Sequence, residues 1–137
     1  MKFKTLSIAL GLSSLLSGSL FASQDLLLFK NQRGSLLEIR VLDDNRIEGD
    51  FTTAVASKTC PQAIGIKRPI TGYMIGNALS FSVVYPMCNS VLSITGNLDQ
   101  DKTTLDTLSI LNKQAEDIIH EGPGARFIGH DLYKKVD

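Results

Sequence analysis

The sequence lacks tryptophan, has only two cysteines and two histidines, and contains no run of basic residues. A metal site built on thiolates and imidazoles needs more ligands than this chain offers, so we expect no bound metal. Nucleic acid is excluded as a partner because no stripe of Lys and Arg is available to neutralise phosphates. The chain also has no nucleophile elbow, phosphate-binding loop or paired-carboxylate motif. We therefore expect no catalytic residues, no cofactor and no enzyme activity.

One long apolar segment is present, and it stands at the N-terminus. Lys2 and Lys4 precede the run LSIALGLSSLLSGSLF, and Leu20-Phe21-Ala22 forms a cleavage site. This arrangement predicts an export signal over residues 1–22 and one domain over residues 23–137, located in the periplasm or secreted. A transmembrane anchor is the alternative, although Ser and Gly dilute the run and it falls short of about 20 apolar residues. Removal of the signal leaves 12 basic and 14 acidic residues, a net charge of −2 that argues against a polybasic membrane arm.

The two cysteines, Cys60 and Cys88, are expected to pair, because disulfides persist in exported proteins. The bridge would close a loop of about 28 residues and stabilise the fold by about 3–4 kcal/mol in the chain-entropy model. A buried pair of free thiols is the alternative.

The apolar pattern predicts β-structure along the rest of the chain. Residues Ile70–Tyr85 indicate two strands joined by a tight turn at Gly76-Asn77, and the second strand alternates polar and apolar residues. Six further strands are predicted, over residues 26–29, 35–41, 46–55, 89–98, 103–111 and 126–136.

No amphipathic segment is long enough for a structural helix. Residues 56–69 and 112–125 are predicted loops, the second with a short helical turn at Ala115–Ile119. Eight short strands in one domain favour an all-β, antiparallel, up-and-down β-barrel, because closure removes exposed strand edges. An eight-stranded barrel has room for one small ligand.

Strand parity indicates which side chains would face such a ligand. Residues two apart share a face of a strand. Two such groups mix apolar side chains with hydroxyls, and a third continues an apolar face. They are Phe51, Thr53 and Val55; Ser90, Leu92 and Ile94; and Leu108 and Ile110. A cavity combines an apolar wall with a few polar groups, which is what these faces predict. An ordinary barrel face with scattered hydroxyls is the alternative.

Five segments of the chain resemble the avidin and streptavidin family of biotin-binding barrels. They are NQRGS (31–35), IEGDFTTAV (47–55), ITGYMIGNALSFSVVY (70–85), NSVLSITG (89–96) and GHDLYKKV (129–136). They occur in the family's order and at nearly its spacing. The resemblance implies an avidin-like barrel that binds biotin or a urea-like relative and forms a homodimer. The cysteine positions are most similar to those of the short, disulfide-containing dimeric bacterial avidins.

The resemblance implies roles around a bound urea group. Asn31 and Ser35 fall where the family places donors to the ureido oxygen, and Thr53 and Asp131 fall where it places acceptors from the ureido N–H groups. Phe51 stands at the position of a family tyrosine and lacks its hydroxyl. Donors that converge on a urea oxygen favour binding when a dry, rigid barrel holds them in place.

The resemblance also implies a ring wall without tryptophan. The family's wall tryptophans fall on Tyr85, Ile94 and Leu108. Leu92 replaces a threonine near the sulfur of biotin, and Ser90 matches a hydroxyl close to the thiophene and valerate end. A smaller residue in place of a buried tryptophan costs about 1–4 kcal/mol at a binding hot spot. We therefore expect biotin to bind more weakly than in the family's tight members.

Two further family features concern the rim of the site. Ala56 and Ser57 begin the loop that closes over the ligand in the family. The tryptophan that a neighbouring subunit contributes in tetrameric members has no counterpart near Pro123.

Each site residue also has a purely structural interpretation, as a turn residue, a strand hydroxyl, a surface acid or a core ring. A second function therefore stays open: a protein-binding barrel, such as a periplasmic enzyme inhibitor, with a filled interior. In that protein Phe51, Leu92, Ile94 and Leu108 would pack across the barrel.

Overall fold

Eight antiparallel strands form a closed barrel in chain order, which confirms the predicted fold. The computed structural model describes residues 25–121 and 126–137, so the predicted export signal and the surroundings of Pro123 lie outside the described residues. The strands are β1 (Leu27–Asn31), β2 (Leu36–Val41), β3 (Arg46–Thr52), β4 (Lys67–Ile75), β5 (Ala78–Tyr85), β6 (Ser90–Leu98), β7 (Thr104–Lys113) and β8 (Arg126–Lys135).

The hairpin of β4 and β5 shows how the sequence specifies the sheet. Leu79, Phe81, Val83 and Tyr85 are buried, while the serines between them are exposed. The turn at Gly76 and Asn77 has a positive φ of 56° at the glycine, which that residue adopts at low cost. Alternation of this kind fixes the register, because a slip by one residue would turn every apolar side chain outward.

The strand bounds differ most from the sequence prediction, by three residues, at the end of β3 and the start of β4. β3 ends at Thr52 instead of Val55, because the Thr53 hydroxyl bonds to the backbone of Val55 and turns the chain out of the sheet. β4 begins at Lys67, inside the predicted loop, where residues 67–69 pair with the end of β3.

The short helix α1 spans Ile118–Glu121, three residues later than predicted at its start. The side chain of Asp117 accepts hydrogen bonds from the backbone N–H groups of Ile119 and His120, and so caps this turn. Among the residues that the structure describes, no helix is long and apolar enough to cross a bilayer.

The pairing of β1 with β8 closes the barrel and brings the two ends of the domain together. Asn31 lies opposite Tyr133 in this pair, and Phe29 lies opposite Lys135. The core inside the barrel includes Phe29, Leu37 and Tyr133, each with at most 1% of its surface exposed.

The predicted disulfide is present between Cys60 and Cys88, whose Cα atoms are 5.7 Å apart. It joins two short 3₁₀ turns, Pro61–Ala63 and Pro86–Cys88. The bridge therefore attaches the long loop after β3 to the connection between β5 and β6.

Removal of this bridge should lower the free energy of unfolding by about 3–4 kcal/mol, because a loop of about 28 residues is then free in the unfolded chain. The test is urea unfolding of the double variant Cys60→Ser with Cys88→Ser, followed by tyrosine fluorescence. Reduction of the unsubstituted protein is the matched control and should give the same loss. A midpoint equal to that of the oxidised protein would contradict the expectation.

Candidate functional site

One end of the barrel contains a cavity of about 420 Å³, a volume typical of small-molecule pockets. Asn31, Tyr85 and Lys113, the last residues of β1, β5 and β7, all line it, together with the loop that follows β3. Its polar lining consists of Asn31, Arg33, Ser35, Thr53, Ser57, Thr59, Ser90, Ser109, Lys113 and Asp131. Its apolar and aromatic lining consists of Phe51, Val55, Ala56, Cys60, Ala63, Tyr85, Cys88, Leu92, Ile94, Leu111, Phe127 and Tyr133. The interior is therefore not filled in the way that the protein-binding alternative requires.

The turn between β1 and β2 fixes the orientation of Asn31. Its side-chain oxygen accepts hydrogen bonds from the backbone N–H groups of Arg33 (3.0 Å) and Ser35 (2.9 Å). Gly34 completes the turn with a φ of 95°. Because the oxygen is occupied by the backbone, the amide N–H₂ group is left to donate to other partners.

Ser35 and Thr53 have hydrogen-bonding capacity left for a ligand. The hydroxyl oxygen of Ser35 accepts from the backbone N–H of Ala54 at 2.9 Å, so its proton remains available for donation. The hydroxyl of Thr53 donates to the carbonyl of Val55 at 2.5 Å and accepts from its N–H at 3.2 Å. One lone pair of Thr53 remains, so this side chain can act as an acceptor.

Asp131 is held by the β1–β2 turn. Its Oδ1 atom accepts from Nε2 of Gln32 at 2.8 Å and lies 3.1 Å from Nε of Arg33, and 12% of the side chain is exposed. Gln32 also accepts from the backbone N–H of Leu132 at 3.1 Å. Both contacts of the carboxylate use the same oxygen, which leaves Oδ2 for a ligand donor.

Tyr133 is a site residue that the sequence analysis missed. Its ring is 1% exposed and lines the cavity, and the residue lies opposite Asn31 in the pairing of β1 with β8. Burial raises the pKa of the Tyr133 hydroxyl above its ordinary value, and the negative charge of Asp131 adds to this, so the phenol keeps its proton. The alternation of GHDLYKKV could have revealed it, because Asp131 and Tyr133 share a face.

Tyr85 contributes a second buried phenol to the wall. Burial raises the pKa of the Tyr85 hydroxyl to about 12, and the nearby charge of Arg68 opposes the shift. Ionisation of Tyr85 would also raise the pKa of Tyr133, which shows that the two phenols are within electrostatic reach of each other.

The residues predicted for the wall on β3, β5 and β6 line the cavity, whereas those predicted on β7 do not. Phe51, Leu92 and Ile94 line the cavity, and the ring of Phe51 contacts Phe81 with the centroids 6.4 Å apart. Leu108 and Ile110, by contrast, do not line it and are 53% and 41% exposed.

The inner face of β7 carries the odd-numbered residues. Leu105 and Thr107 are buried there, and Ser109 and Leu111 line the cavity. Because both faces of this strand carry apolar residues, composition did not reveal whether its odd-numbered or its even-numbered residues point inward. The side chain next to Leu108 that lines the cavity is therefore the hydroxyl of Ser109, while Leu108 itself is exposed.

The two histidines lie outside the cavity lining and each pairs with one carboxylate. Nδ1 of His120 lies 2.5 Å from Asp117, and Nε2 of His130 lies 2.6 Å from Asp106. Within residues 25–121 and 126–137, no group of three or more His, Cys, Asp or Glu side chains could hold a metal ion.

The sequence model of the avidin family matches residues 26–136. The chain belongs to the avidin family. Its members are binding proteins and not enzymes. Three of the similar solved structures are those of bradavidin2 bound to biotin, rhizavidin bound to biotin, and core-bradavidin.

The bradavidin2–biotin structure is 27% identical to this avidin-family barrel, has a TM-score of 0.66, and covers 81% of this chain and 96% of its own. Core-bradavidin is 25% identical, with a TM-score of 0.67, and the match covers 82% of this chain and 100% of the core-bradavidin chain. The rhizavidin–biotin structure is 22% identical with a TM-score of 0.67, covers 82% of this chain and 92% of its own, and supports the fold. No curated protein matches the chain with comparable significance.

Stability of this avidin-family barrel should fall as the pH rises from about 10 to 12. A tyrosine in the unfolded chain ionises near pH 10, whereas Tyr85 in the folded barrel keeps its proton until about 12. The unfolded state therefore releases protons first, so stability present below pH 10 is lost in this window.

Urea unfolding at about pH 9 and about pH 11.5 measures this loss. The variant Tyr85→Phe should lose less stability between the two conditions than the wild type. Tyr73→Phe is the matched control, since Tyr73 is 64% exposed, and it should behave as the wild type does. An equal loss in Tyr85→Phe and wild type would contradict the expectation.

Proposed function

We propose that this protein binds biotin or a urea-like relative in the cavity at the open end of its barrel. The observation that carries the proposal is the convergence of Asn31, Ser35, Thr53, Asp131 and Tyr133 on the lining of one cavity. A urea has one strong acceptor and two donors, and these side chains present both kinds of partner. The similarity to bradavidin2, which has been solved with biotin, supports the same conclusion.

The lining offers hydrogen-bond donors for the oxygen of a urea group and acceptors for its two N–H groups. Ser35 has a free hydroxyl proton and the amide of Asn31 has donor hydrogens, so both can bond to the oxygen. The protonated Tyr133 hydroxyl adds a further donor, which offsets the hydroxyl that Phe51 lacks. Thr53 and Oδ2 of Asp131 are left as acceptors for the two N–H groups.

The affinity for biotin is lower than in the tight members of the family. The wall presents Tyr85, Leu92 and Ile94 with no indole ring. The carboxylate of Asp131 is also shared with Arg33 and Gln32, which weakens it as an acceptor for a ligand. A loss of about 1.4 kcal/mol lowers the affinity tenfold, so a few such differences remove several orders of magnitude.

The mouth of the cavity suits a ligand with an acidic tail. Lys113 ends β7 and lines the cavity, and its ammonium group lies 3.5 Å from the hydroxyl of Thr59 in the closing loop. Arg33 lines the same cavity. A carboxylate that extends from the bound ring would meet the ammonium group of Lys113, whereas the charge of Arg33 is already paired with Asp131.

Calorimetric titration of the purified protein with biotin tests the binding. The wild type should bind, and Ser35→Ala should bind about tenfold more weakly, because one oxygen-directed donor is lost. Ser82→Ala is the matched control, since Ser82 is exposed on the outside of β5, and it should bind as the wild type does. Absence of heat and of a thermal shift at high biotin concentration would refute the proposal.

We also propose that the barrel forms a homodimer through an outer apolar face, defined as Val91, Leu108, Ile110, Ile128 and Leu132. These side chains are between 41% and 70% exposed and lie on the neighbouring strands β6, β7 and β8. The closed barrel has no free strand edge, so association must use a face. A second copy of the same face would cover this one by two-fold symmetry.

Sedimentation or light scattering gives the oligomeric state. The wild type should be a dimer, and Ile110→Lys should be a monomer, because a lysine would be buried against the partner's apolar side chains. Ile75→Lys is the matched control, since Ile75 is 73% exposed on β4 outside this face, and it should remain a dimer. A monomeric wild type would exclude the proposed interface.

Export is part of the proposal. The basic and apolar N-terminal segment supports it, as does the disulfide between Cys60 and Cys88. The site of action would be the periplasm or the extracellular medium.

A further inference from the structure

The lining of the cavity has an excess of positive charge, and the excess comes from Lys113. Of the described residues that line the cavity, Arg33, Lys113 and Asp131 carry a formal charge. Arg33 and Asp131 neutralise each other, because Nε of Arg33 lies 3.1 Å from Oδ1 of Asp131. The charge of Lys113 therefore has no counterpart within the lining, although the whole chain has equal numbers of basic and acidic residues.

The ammonium group of Lys113 lies between the end of β7 and the loop that follows β3. Lys113 is the last residue of β7, and its Nζ atom is 3.5 Å from Oγ1 of Thr59 in that loop. Oγ of Ser57 is 3.1 Å from the same Thr59 oxygen. All three residues line the cavity, and all three are exposed. A ligand that reaches the mouth of the cavity can therefore contact these groups directly.

The groups at the mouth suit an anion with two acceptor oxygens. An ammonium group has three N–H donors, and the long contact with Thr59 uses one of them. Ser90 lies directly opposite Lys113 in the pairing of β6 with β7 and also lines the cavity. Hydroxyls can donate to a carboxylate as well, and hydrogen bonds between charged groups are about twice as strong as neutral ones. Lys113 and the hydroxyls beside it thus match a carboxylate.

A neutral amide at the same place would gain much less. Its carbonyl oxygen can accept a hydrogen bond from a hydroxyl, but it carries no charge to attract the ammonium group. Its N–H group is a donor and would face other donors. The attraction between opposite charges is also stronger beside a protein surface than in bulk water, so the difference between the two ligands should be measurable.

We propose that Lys113 makes the site select ligands that end in a free carboxylate over the same ligands joined through an amide. The inference rests on the proposed function and narrows its ligand class to free acids. An amide bond is the link by which such an acid is attached to a lysine of another protein. The barrel would therefore take up the free small molecule in preference to its protein-bound form. The urea-binding side chains do not make this distinction, because the ring is the same in both ligands.

The experiment compares biotin with biotinamide by calorimetry on the wild type, Lys113→Gln and Lys102→Gln. The wild type should bind biotin about 5–10-fold more tightly than biotinamide, the usual effect of one hydrogen bond to a charged group. In Lys113→Gln this ratio should fall to about one, mainly through weaker binding of biotin. Lys102→Gln makes the same change of charge in the exposed turn between β6 and β7, at the opposite end of β7, and should keep the wild-type ratio.

Salt gives a readout that a purely structural role of Lys113 would not move. Raising sodium chloride from about 0.02 M to about 0.5 M should weaken the binding of biotin to the wild type several-fold, because salt screens exposed charges. The binding of biotinamide should not change. Lys113→Arg keeps the charge, so it should retain the preference for biotin.

The outcomes separate this inference from the proposed function. Equal binding of biotin and biotinamide by the wild type, a preference that survives in Lys113→Gln, or a preference that salt does not reduce overturns the role of Lys113 and leaves the proposed function intact. Binding of neither compound overturns the proposed function together with the inference that rests on it.

Discussion

The binding cavity depends on the pairing of β1 with β8. This pairing places Asn31 opposite Tyr133, although the residues are about a hundred positions apart in the chain. The turn that follows β1 then extends across the seam, where Gln32 bonds both to Asp131 and to the backbone of Leu132. Closure of the barrel and assembly of the polar end of the cavity are therefore the same event, and a barrel opened at this seam would lose both.

Local patterns in the sequence predicted the parts of this arrangement that are decided locally. The hairpin of β4 and β5, the eight strands and the disulfide follow from alternation, turn residues and the position of Cys60 and Cys88. The sequence did not predict which side chains of β7 point into the barrel, because this strand has apolar residues on both faces. Its outer leucine and isoleucine belong to an exposed face, and period-two reasoning has no means to separate that face from a cavity wall.

The wall of the cavity differs in chemistry from one made of indole rings. Phe51 contributes a ring without a hydroxyl, Tyr133 contributes a phenol from β8, and Ser109 lines the cavity on β7 where Leu108 and Ile110 were expected. Phenols bring less apolar surface than indoles but add donors that stay protonated because they are buried. Such a wall exchanges apolar contact area for hydrogen-bonding specificity, which favours a more polar ligand.

Polarity of this kind carries a cost that the rest of the barrel must offset. A cavity of about 420 Å³ forgoes packing contacts, and the buried hydroxyl of Tyr85 forgoes a hydrogen bond. The disulfide lies beside both, since Cys60 and Cys88 line the cavity and Cys88 follows Tyr85 by three residues. A covalent restraint at this position stabilises the fold without filling the space that a ligand needs. The end of the barrel that holds the cavity is thus also the end that is cross-linked.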